Sequence, residues 1–148
     1  MRAVVQRVTE ASVTIDGETV GAIENGLCVL LGVSVDDTEA DADYITEKLL
    51  GLRIFDDENG VPNKSVLDMS GAILLISQFT LLGDARKGRR PSYIDAARPE
   101  TAIPLYERCI ARLRKSVPVE TGRFGADMKV LIANDGPFTI LLDSKKGF

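Results

Sequence analysis

A short polar interruption of an apolar run is the first candidate for chemistry in the sequence. Residues 72–76 form an unbroken apolar stretch, which predicts a strand buried on both faces, and Ser77 and Gln78 follow it directly. Burying a hydroxyl and an amide without partners costs about 1–3 kcal/mol each, so the strand is expected either to open onto a pocket here or to end in water. Phe79 and Thr80 come next, and backbone N–H groups at such a break can hold an oxyanion beside the two hydroxyls.

The Gly136-Pro137 pair, in a predicted turn at residues 134–137, is the second candidate. A cis bond, found for about 5% of X-Pro bonds in folded proteins, turns neighbouring carbonyls to the same side. Two parallel carbonyls would form a rigid wall, whereas a trans bond would make an ordinary turn between strands. The sequence leaves both alternatives open.

A cluster of cations lies within residues 83–99, a long segment without periodicity; its members are Arg86, Lys87, Arg89 and Arg90. Long irregular connections inside a compact domain tend to be functional, and such a cluster can bind phosphates. A solvated charged loop is the alternative. The net charge of the chain is −4, which argues against broad, non-specific nucleic-acid binding but leaves room for a local basic patch.

The chain contains no histidine, and this absence limits its chemistry. Catalytic Ser-His and Cys-His pairs are excluded, as are metal sites with histidine ligands. Cys28 and Cys109 lie in apolar surroundings without a CxxC spacing and are predicted to be buried free thiols. The acidic residues 56–58 lack the spacing of a calcium loop and are expected to lie in a solvated turn. The sequence therefore predicts neither a metal nor another cofactor.

The length of 148 residues predicts one domain, residues 1–148, with a substantial core. The N-terminal residues do not have the shape of a signal peptide, and no apolar run approaches the ~20 residues of a membrane span. Free thiols fit a reducing compartment. We therefore expect a soluble, cytoplasmic protein without a membrane partner.

The pattern of apolar residues predicts strands with two helices set between them. Strands are expected within residues 4–15, 18–23, 27–33, 53–55, 72–76, 121–124, 128–132 and 138–142. One helix follows N-cap candidates at residues 36–38 and ends near Gly51, and the other is capped by Thr101 and ends before Pro118. The second helix carries an apolar stripe at residues 103, 106, 110, 113 and 117. This order predicts an α+β fold, with a curled antiparallel or mixed β-sheet that approaches a barrel and two main helices packed outside.

Two segments resemble the signature motifs of the D-aminoacyl-tRNA deacylase family. They are residues 77–80, Ser-Gln-Phe-Thr, and residues 134–139, Asn-Asp-Gly-Pro-Phe-Thr. Shorter matches lie at residues 6–8, 51–55, 90–92 and 121–124, so that the resemblance covers essentially the whole chain. Phe138 departs from the pattern, because the family usually has valine there. The change concerns core packing if this side chain faces the barrel, and pocket size if it faces the substrate.

The resemblance implies an activity, a substrate and a partner. Family members hydrolyse the ester that joins an amino acid to the terminal adenosine of tRNA, and they are homodimers with the active site at the subunit interface. Gly136 and Pro137 of one subunit would enter the pocket of the other as a cis peptide and fill the space that an L side chain requires. D-aminoacyl groups and glycine would fit beside this wall.

Two mechanisms fit the catalytic segment that the resemblance indicates. In the first, Thr80 attacks the ester, although no histidine and no obvious nearby lysine is available to activate it. In the second, the terminal 2′-hydroxyl of the tRNA activates water or attacks the ester, while backbone N–H groups near Phe79 and Thr80 hold the oxyanion. The absence of histidine favours the second mechanism. Ser77 and Gln78 complete the catalytic segment.

The resemblance also implies roles for residues outside that segment. Arg7 would brace the Gly-Pro carbonyls, and Thr139 belongs to the same selective motif. Phe124 and Met128 would pack on the terminal adenine, unless they are plain core residues. The basic residues 86–90 would take phosphates of the acceptor end.

Two other functions remain as alternatives. The chain could be a non-catalytic nucleic-acid-binding module that uses the basic loop 86–90, although five Phe, three Tyr and no Trp leave few stacking platforms. It could also be an esterase for small molecules, which the missing base disfavours.

Overall fold

Most of the sheet is attached to one long strand, β1 (Arg2–Ile15), in a computed structural model that describes residues 1–148. The other strands are β2 (Glu18–Ile23), β3 (Gly26–Gly32), β4 (Phe55–Asp56), β5 (Pro62–Lys64), β6 (Ala72–Ser77), β7 (Val119–Thr121) and β8 (Lys129–Asp143). The helices are α1 (Glu39–Gly51) and α2 (Pro99–Arg114). A 3-10 turn at Phe79–Leu82, here called the 79–82 turn, follows β6.

β1 reaches three neighbours because it is long enough to change partners along its length. It pairs antiparallel with β3 through residues 2–8 and with β2 through residues 11–15, while β8 pairs antiparallel with both portions. β3 and β6 are parallel, as are β6 and β7. The resulting six-stranded mixed sheet is nearly closed into a barrel and is accompanied by two helices, which confirms the predicted α+β class.

β3 and β6 are apolar throughout because both of their faces are covered. Alternate residues of the two strands, such as Leu31 and Leu75, join a core of 22 buried residues that includes the inner sides of both helices. The residues between them, such as Cys28 and Leu74, join a second cluster of 7 inside the curled sheet. Continuous apolar runs are typical of strands in this position.

Both cysteines are buried and free, as predicted. Burial raises the pKa of Cys28 and of Cys109 to about 12, since a thiolate loses its hydration in apolar surroundings. Neither thiol is therefore a nucleophile near neutral pH.

The predicted boundaries of α2 were wrong at its beginning. The helix starts at Pro99, two residues before Thr101, and its N-cap is Arg98. Proline suits the first helical position because its φ is already helical and its missing N–H has no partner to lose. The predicted apolar stripe is confirmed at Tyr106, Leu113 and Val117, which are buried, whereas Ile103 and Ile110 are half-buried. The other buried residues of this helix are Ala102, Leu105 and Cys109.

The start of α1 and its contact with α2 are held by polar groups. Thr38 is the N-cap, and its backbone N–H donates to the Asp41 carboxylate over 2.8 Å. Arg108 of α2 donates to Asp43 of α1 over 2.8 Å, and Arg112 lies 3.2 Å from the same carboxylate. Neither helix is both long enough and apolar enough to cross a membrane.

The predicted strands at residues 128–132 and 138–142 are parts of one strand, β8. β8 stays paired with β1 on both sides of the predicted turn, but two steps along β1, from Gln6 to Val8, face five steps along β8, from Thr139 to Asn134. The extra residues form a bulge that contains Gly136 and Pro137. The turn residues 134–137 therefore mark a bulge within one strand, whereas the sequence predicted a turn between two strands.

The two ends of the chain meet over the start of α1. The Met1 ammonium group is buried and lies 2.6 Å from the Asp37 carboxylate. Lys145, near the C-terminal end, donates to Asp37 over 3.2 Å and to Asp41 over 2.7 Å. Although burial by itself raises the pKa of Asp41, hydrogen bonds from Lys145 and Ser144 hold that pKa well below its usual range.

We predict that Asp41→Asn lowers the free energy of unfolding at pH 7 by about 1 kcal/mol, because the Lys145 ion pair is lost. A carboxylate whose pKa is depressed by folding stabilises the protein above its unfolded pKa of 3.8, and this contribution disappears as the pH falls through the lower folded value. Urea unfolding of both proteins should therefore show a difference at pH 7 that shrinks below pH 4.

The matched control is Glu24→Gln, which changes an exposed carboxylate that forms no ion pair. It should unfold like the original chain at every pH. A difference between Asp41→Asn and the original chain that does not change with pH would contradict the assignment of the ion pair.

Candidate active site

The pocket lies where β3 and β6 end side by side. Because the two strands are parallel, their carboxyl ends meet at one edge of the sheet, and the chain leaves β6 there through Ser77, Gln78 and Phe79. The pocket has a volume of about 320 Å³ and is mainly apolar. It is lined by Leu31, Val33, Ile76, Ser77, Gln78, Phe79, Ala97, Ala102, Tyr106, Phe124, Gly125, Ala126, Asp127, Met128 and Val130. The strand thus opens onto a pocket, the first of the two alternatives that the sequence left open.

The 79–82 turn is held against the end of β3. The backbone N–H of Gln78 donates to the Leu31 carbonyl over 2.7 Å, and the N–H of Gly83 closes the turn by donating to the Thr80 carbonyl over 2.9 Å. Phe79 and Thr80 are the first two residues of the turn, so their N–H groups have no acceptor inside it. These N–H groups are therefore available to a ligand in the adjacent pocket.

Gly32 allows the turn to come this close to β3. A β-carbon at position 32 would lie 2.7 Å from the side chain of Leu82 and 2.9 Å from the Gln78 carbonyl oxygen. Distances below 3.0 Å are not tolerated by real β-carbons, so any side chain here would displace the turn. Gly32 was not predicted to be important for the site, although a glycine at the end of a buried strand was a usable signal.

No basic side chain of the pocket is hydrogen-bonded to the Thr80 hydroxyl. The hydroxyl of Thr80 accepts a short hydrogen bond from the side-chain amide of Gln78. Tyr106 donates to the Leu75 carbonyl over 2.8 Å, and burial raises the pKa of its hydroxyl far above neutrality. No lysine or arginine lines the pocket, and Asp127 is its one carboxylate. Activation of the Thr80 hydroxyl by a neighbouring side chain is therefore poorly supported.

Phe124 and Met128 line the wall of the pocket and are half-buried. The Phe124 ring lies 5.9 Å from the Tyr106 ring, and the Met128 sulfur packs so closely on Gly122 that a β-carbon there would not fit. Each side chain thus packs on the core with one part and faces the pocket with another. This placement allows both the core role and contact with a flat ring in the pocket.

A second cluster of predicted residues surrounds the bulge of β8. The Gly136-Pro137 peptide bond is cis, both residues are exposed, and neither lines the pocket of its own chain. Arg7 donates to the carbonyl oxygens of Asp135 over 3.0 Å and of Ile54 over 2.8 Å. Arg7 belongs to β1, so its side chain fixes the bulge to β1 and to the segment before β4.

Side chains of the same motif brace the bulge from within. Asn134 donates to the Thr139 hydroxyl over 3.1 Å and accepts from the backbone N–H of Phe138 over 3.1 Å. The Phe138 ring is half-buried, packs against the main core and lies 4.9 Å from the Arg7 guanidinium. The residue that departs from the family motif thus has a packing role within its own chain.

The basic loop is exposed and lies next to the pocket. Arg86 forms two hydrogen bonds with Asp84, of 2.9 and 2.7 Å, and this pairing lowers the pKa of Asp84 to about 2. The other cations of the loop, at residues 87–90, form no ion pair. Tyr93, at the end of the loop, packs edge-on against Phe79 with the ring centres 5.2 Å apart. The loop is thus connected to the 79–82 turn through an aromatic contact.

The structure brings five of the predicted site residues to one place and leaves the others apart. Ser77, Gln78, Phe79, Phe124 and Met128 line the pocket, whereas Thr80 is exposed on the 79–82 turn and does not line it. Arg7, Gly136, Pro137 and Thr139 belong to the bulge, and the cations belong to the loop. No group of three or more acidic, cysteine or histidine side chains is arranged to hold a metal ion.

Comparison with known proteins places the chain in a family. Residues 4–143 match the family described as D-Tyr-tRNA(Tyr) deacylase. The D-aminoacyl-tRNA deacylases of Thermosipho melanesiensis and Koribacter versatilis are 59% and 60% identical to it, and the matches cover 100% of each chain.

Two solved structures have the same fold. One, titled c-Myc DNA unwinding element binding protein, is 46% identical with a TM-score of 0.92, and the match covers 97% of this chain and 98% of that one. The other, described as a probable eukaryotic D-amino acid tRNA deacylase, has a TM-score of 0.83 over 95% of this chain and 97% of that one; at 18% identity it supports the fold alone. With both sequence motifs, the matching fold and the family model in agreement over nearly the whole length, this chain belongs to the D-aminoacyl-tRNA deacylase family.

Proposed function

We propose that this protein hydrolyses the ester bond of D-aminoacyl-tRNA and releases free tRNA and the D-amino acid. The observation that carries the proposal is the 79–82 turn, which presents two unsatisfied N–H groups beside a pocket whose one carboxylate, Asp127, forms no hydrogen bond with Thr80. Membership of the family supplies the substrate class. Because its substrate takes part in translation, we place this activity in the cytoplasm.

In the proposed reaction the protein stabilises charge and the RNA moves the proton. Water attacks the ester carbonyl, and its proton passes to the terminal ribose through the neighbouring 2′-hydroxyl as the bond to the 3′-oxygen breaks. The carbonyl oxygen becomes an oxyanion, which accepts hydrogen bonds from the N–H groups of Phe79 and Thr80. A single donor of this kind contributes about 100- to 1,000-fold in rate. Phe124 and Met128 pack on the terminal adenine in this arrangement.

Selection between D and L groups requires a second copy of the chain. The bulge with Gly136 and Pro137 is exposed, rigidly braced and absent from the pocket of its own chain, as expected of a wedge that enters a neighbouring subunit. β8 is also paired on one edge only, and its Leu131 and Leu141 side chains are 67% and 53% exposed. In the homodimer the wedge occupies the space of an L side chain. D-aminoacyl groups and glycine are admitted.

The basic loop is proposed to bind phosphates of the tRNA acceptor end. The loop is followed by Tyr93, whose ring contacts Phe79 of the pocket, and the exposed cations Lys87, Arg89 and Arg90 form no ion pair. Because the chain as a whole is acidic, this local charge would orient the RNA without holding it along its whole length.

A non-catalytic nucleic-acid-binding module is the second candidate. It is favoured by the exposed basic loop and by the 46% identical structure, which is that of a c-Myc DNA unwinding element binding protein. The formed pocket and the free N–H groups of the 79–82 turn have no use in that function. Hydrolysis is therefore the better supported proposal.

We predict that the protein releases D-tyrosine from D-tyrosyl-tRNA at least about 100-fold faster than L-tyrosine from L-tyrosyl-tRNA, because a wall of carbonyl groups excludes the L side chain. Matched substrates and a simple tyrosine ester are compared by release of labelled amino acid. Glycyl-tRNA should be cleaved and the simple ester should not.

The same sample should sediment with twice the mass of one chain. Equal release of both enantiomers from a dimer would contradict the selection mechanism. Binding of the RNA without any release would favour the non-catalytic module, and rapid cleavage of the simple ester would favour a general esterase.

We predict that Thr80→Ala retains activity within about tenfold of the original chain, since a backbone N–H survives the loss of the hydroxyl. A D-aminoacyl-tRNA that ends in 2′-deoxyadenosine should be cleaved about 100-fold more slowly or worse, because the proton relay is removed. Single-turnover rates measure both effects, with Thr80→Ser as the control variant. Complete loss of turnover in a folded, tRNA-binding Thr80→Ala protein would assign the chemistry to the hydroxyl instead.

We predict that replacing Arg89 and Arg90 with glutamine weakens tRNA binding and reduces the slope of log K against log salt by about 1.5. Each phosphate contact releases counterions on binding, so binding with two contacts fewer depends less on salt. The control exchanges two exposed lysines for glutamine, Lys48 of α1 and Lys115 at the C-cap of α2. It should leave the slope unchanged. Identical slopes for the two double variants would exclude the loop from RNA contact.

A further inference from the structure

Arg2, at the start of β1, connects the C-terminal segment to the 79–82 turn. Its guanidinium Nη1 donates a hydrogen bond to the Leu81 carbonyl over 3.0 Å. Its Nε lies 3.4 Å from the Asp143 carboxylate, and the guanidinium carbon lies 5.2 Å from the centre of the Phe148 ring. The Arg2 side chain is 34% exposed and that of Asp143 only 5% exposed, so the charge pair is partly shielded from water.

The contact with Leu81 is important because so short a turn cannot fix its own orientation. The turn has four residues, and its 3-10 hydrogen bonds are geometrically weaker than those of an α-helix. Its beginning is held by the bond from Gln78 to Leu31, and the side chains of Leu81 and Leu82 pack closely on Gly32. At its other end, Arg2 is the only side chain that donates to a backbone carbonyl of the turn.

The attachment of β1 itself does not depend on the guanidinium. The backbone of Arg2 is paired with Gly32 on one side and with Asp143 on the other. The backbone N–H of Ser144 also donates to the Met1 carbonyl over 2.9 Å. Removing the Arg2 head group therefore leaves the sheet closed and the apolar packing of Leu82 in place, but removes the one side-chain hydrogen bond that orients the backbone of the turn.

We propose that Arg2 is a positioning residue for the reaction. Its guanidinium holds the 79–82 turn by the Leu81 carbonyl, so that the N–H groups of Phe79 and Thr80 keep their direction toward the ester, and Asp143 and Phe148 hold the guanidinium. This role rests on the proposed function. Because a misplacement of about 1 Å can reduce a rate about 100-fold, the loss of this anchor acts on the chemical step instead of on substrate binding.

The test compares Arg2→Met and Arg2→Lys with the original chain on D-tyrosyl-tRNA. Arg2→Met keeps the length and apolar stem of the side chain, and kcat is expected to fall about tenfold while KM stays within about twofold. Arg2→Lys retains one charged donor and should recover part of the loss. Asp143→Asn removes the charge that holds the guanidinium, together with one of the two oxygens that accept from the backbone N–H groups of Lys145 and Gly147. It should lower kcat about twofold, which keeps the test available if Arg2→Met does not fold.

The control variant is Arg114→Met, since Arg114 also donates to a backbone carbonyl, that of Val119 over 3.3 Å, but away from the pocket. A second measurement, independent of activity, is the amide chemical shift of Phe79 and Thr80. Both shifts are expected to move in Arg2→Met, to return toward the original values in Arg2→Lys, and to stay unchanged in Arg114→Met.

The results separate this inference from the proposed function. If the original chain releases no D-amino acid, the proposed function fails, and the two amide shifts still decide whether Arg2 orients the turn. If the original chain is active but kcat of Arg2→Met falls no further than that of Arg114→Met, the inference is wrong. A rise in KM at unchanged kcat would also overturn it, because Arg2 would then act in substrate binding.

Discussion

The parallel pairing of β3 with β6 is the interaction on which the rest of the structure depends. Both strands are covered on both faces, so their pairing is fixed by two separate groups of buried side chains. Parallel strands bring their carboxyl ends to the same edge, and the pocket lies at that edge. The hydrogen bond from Gln78 to Leu31 fixes the 79–82 turn to the end of this pair of strands.

The site shows how an ester can be attacked without an acid-base side chain. No histidine is present, the cysteines are held as thiols by burial, and Tyr106 is committed to a backbone carbonyl. What remains is a set of fixed dipoles beside an apolar pocket, and such dipoles need no reorganisation when charge develops. In the proposed reaction, proton transfer is therefore left to the RNA, which brings its own hydroxyl to the site.

Local sequence patterns were sufficient for some parts of the structure and not for others. Ser77 and Gln78 marked the position of the pocket, because a polar pair after a buried apolar run is a signal contained in a few residues, but the pair alone left open whether the strand met a pocket or water. The stripe of α2 was predicted correctly at Tyr106 and Leu113 but without Cys109, because its apolar residues are spread around the helix and only the packing in the fold buries Cys109 more deeply than Ile110. The contact of Arg2 with Leu81 joins residues 79 positions apart and leaves no mark on the neighbouring sequence.

Gly32 has a consequence for how such a site can change during evolution. A methyl group at this position would strike the Gln78 carbonyl oxygen and the end of the Leu82 side chain, so the turn would have to move. The walls of the pocket can accept new side chains for new acyl groups, because they border empty space. The backing of the turn has no such freedom, so a position with no chemistry of its own limits how the site can change.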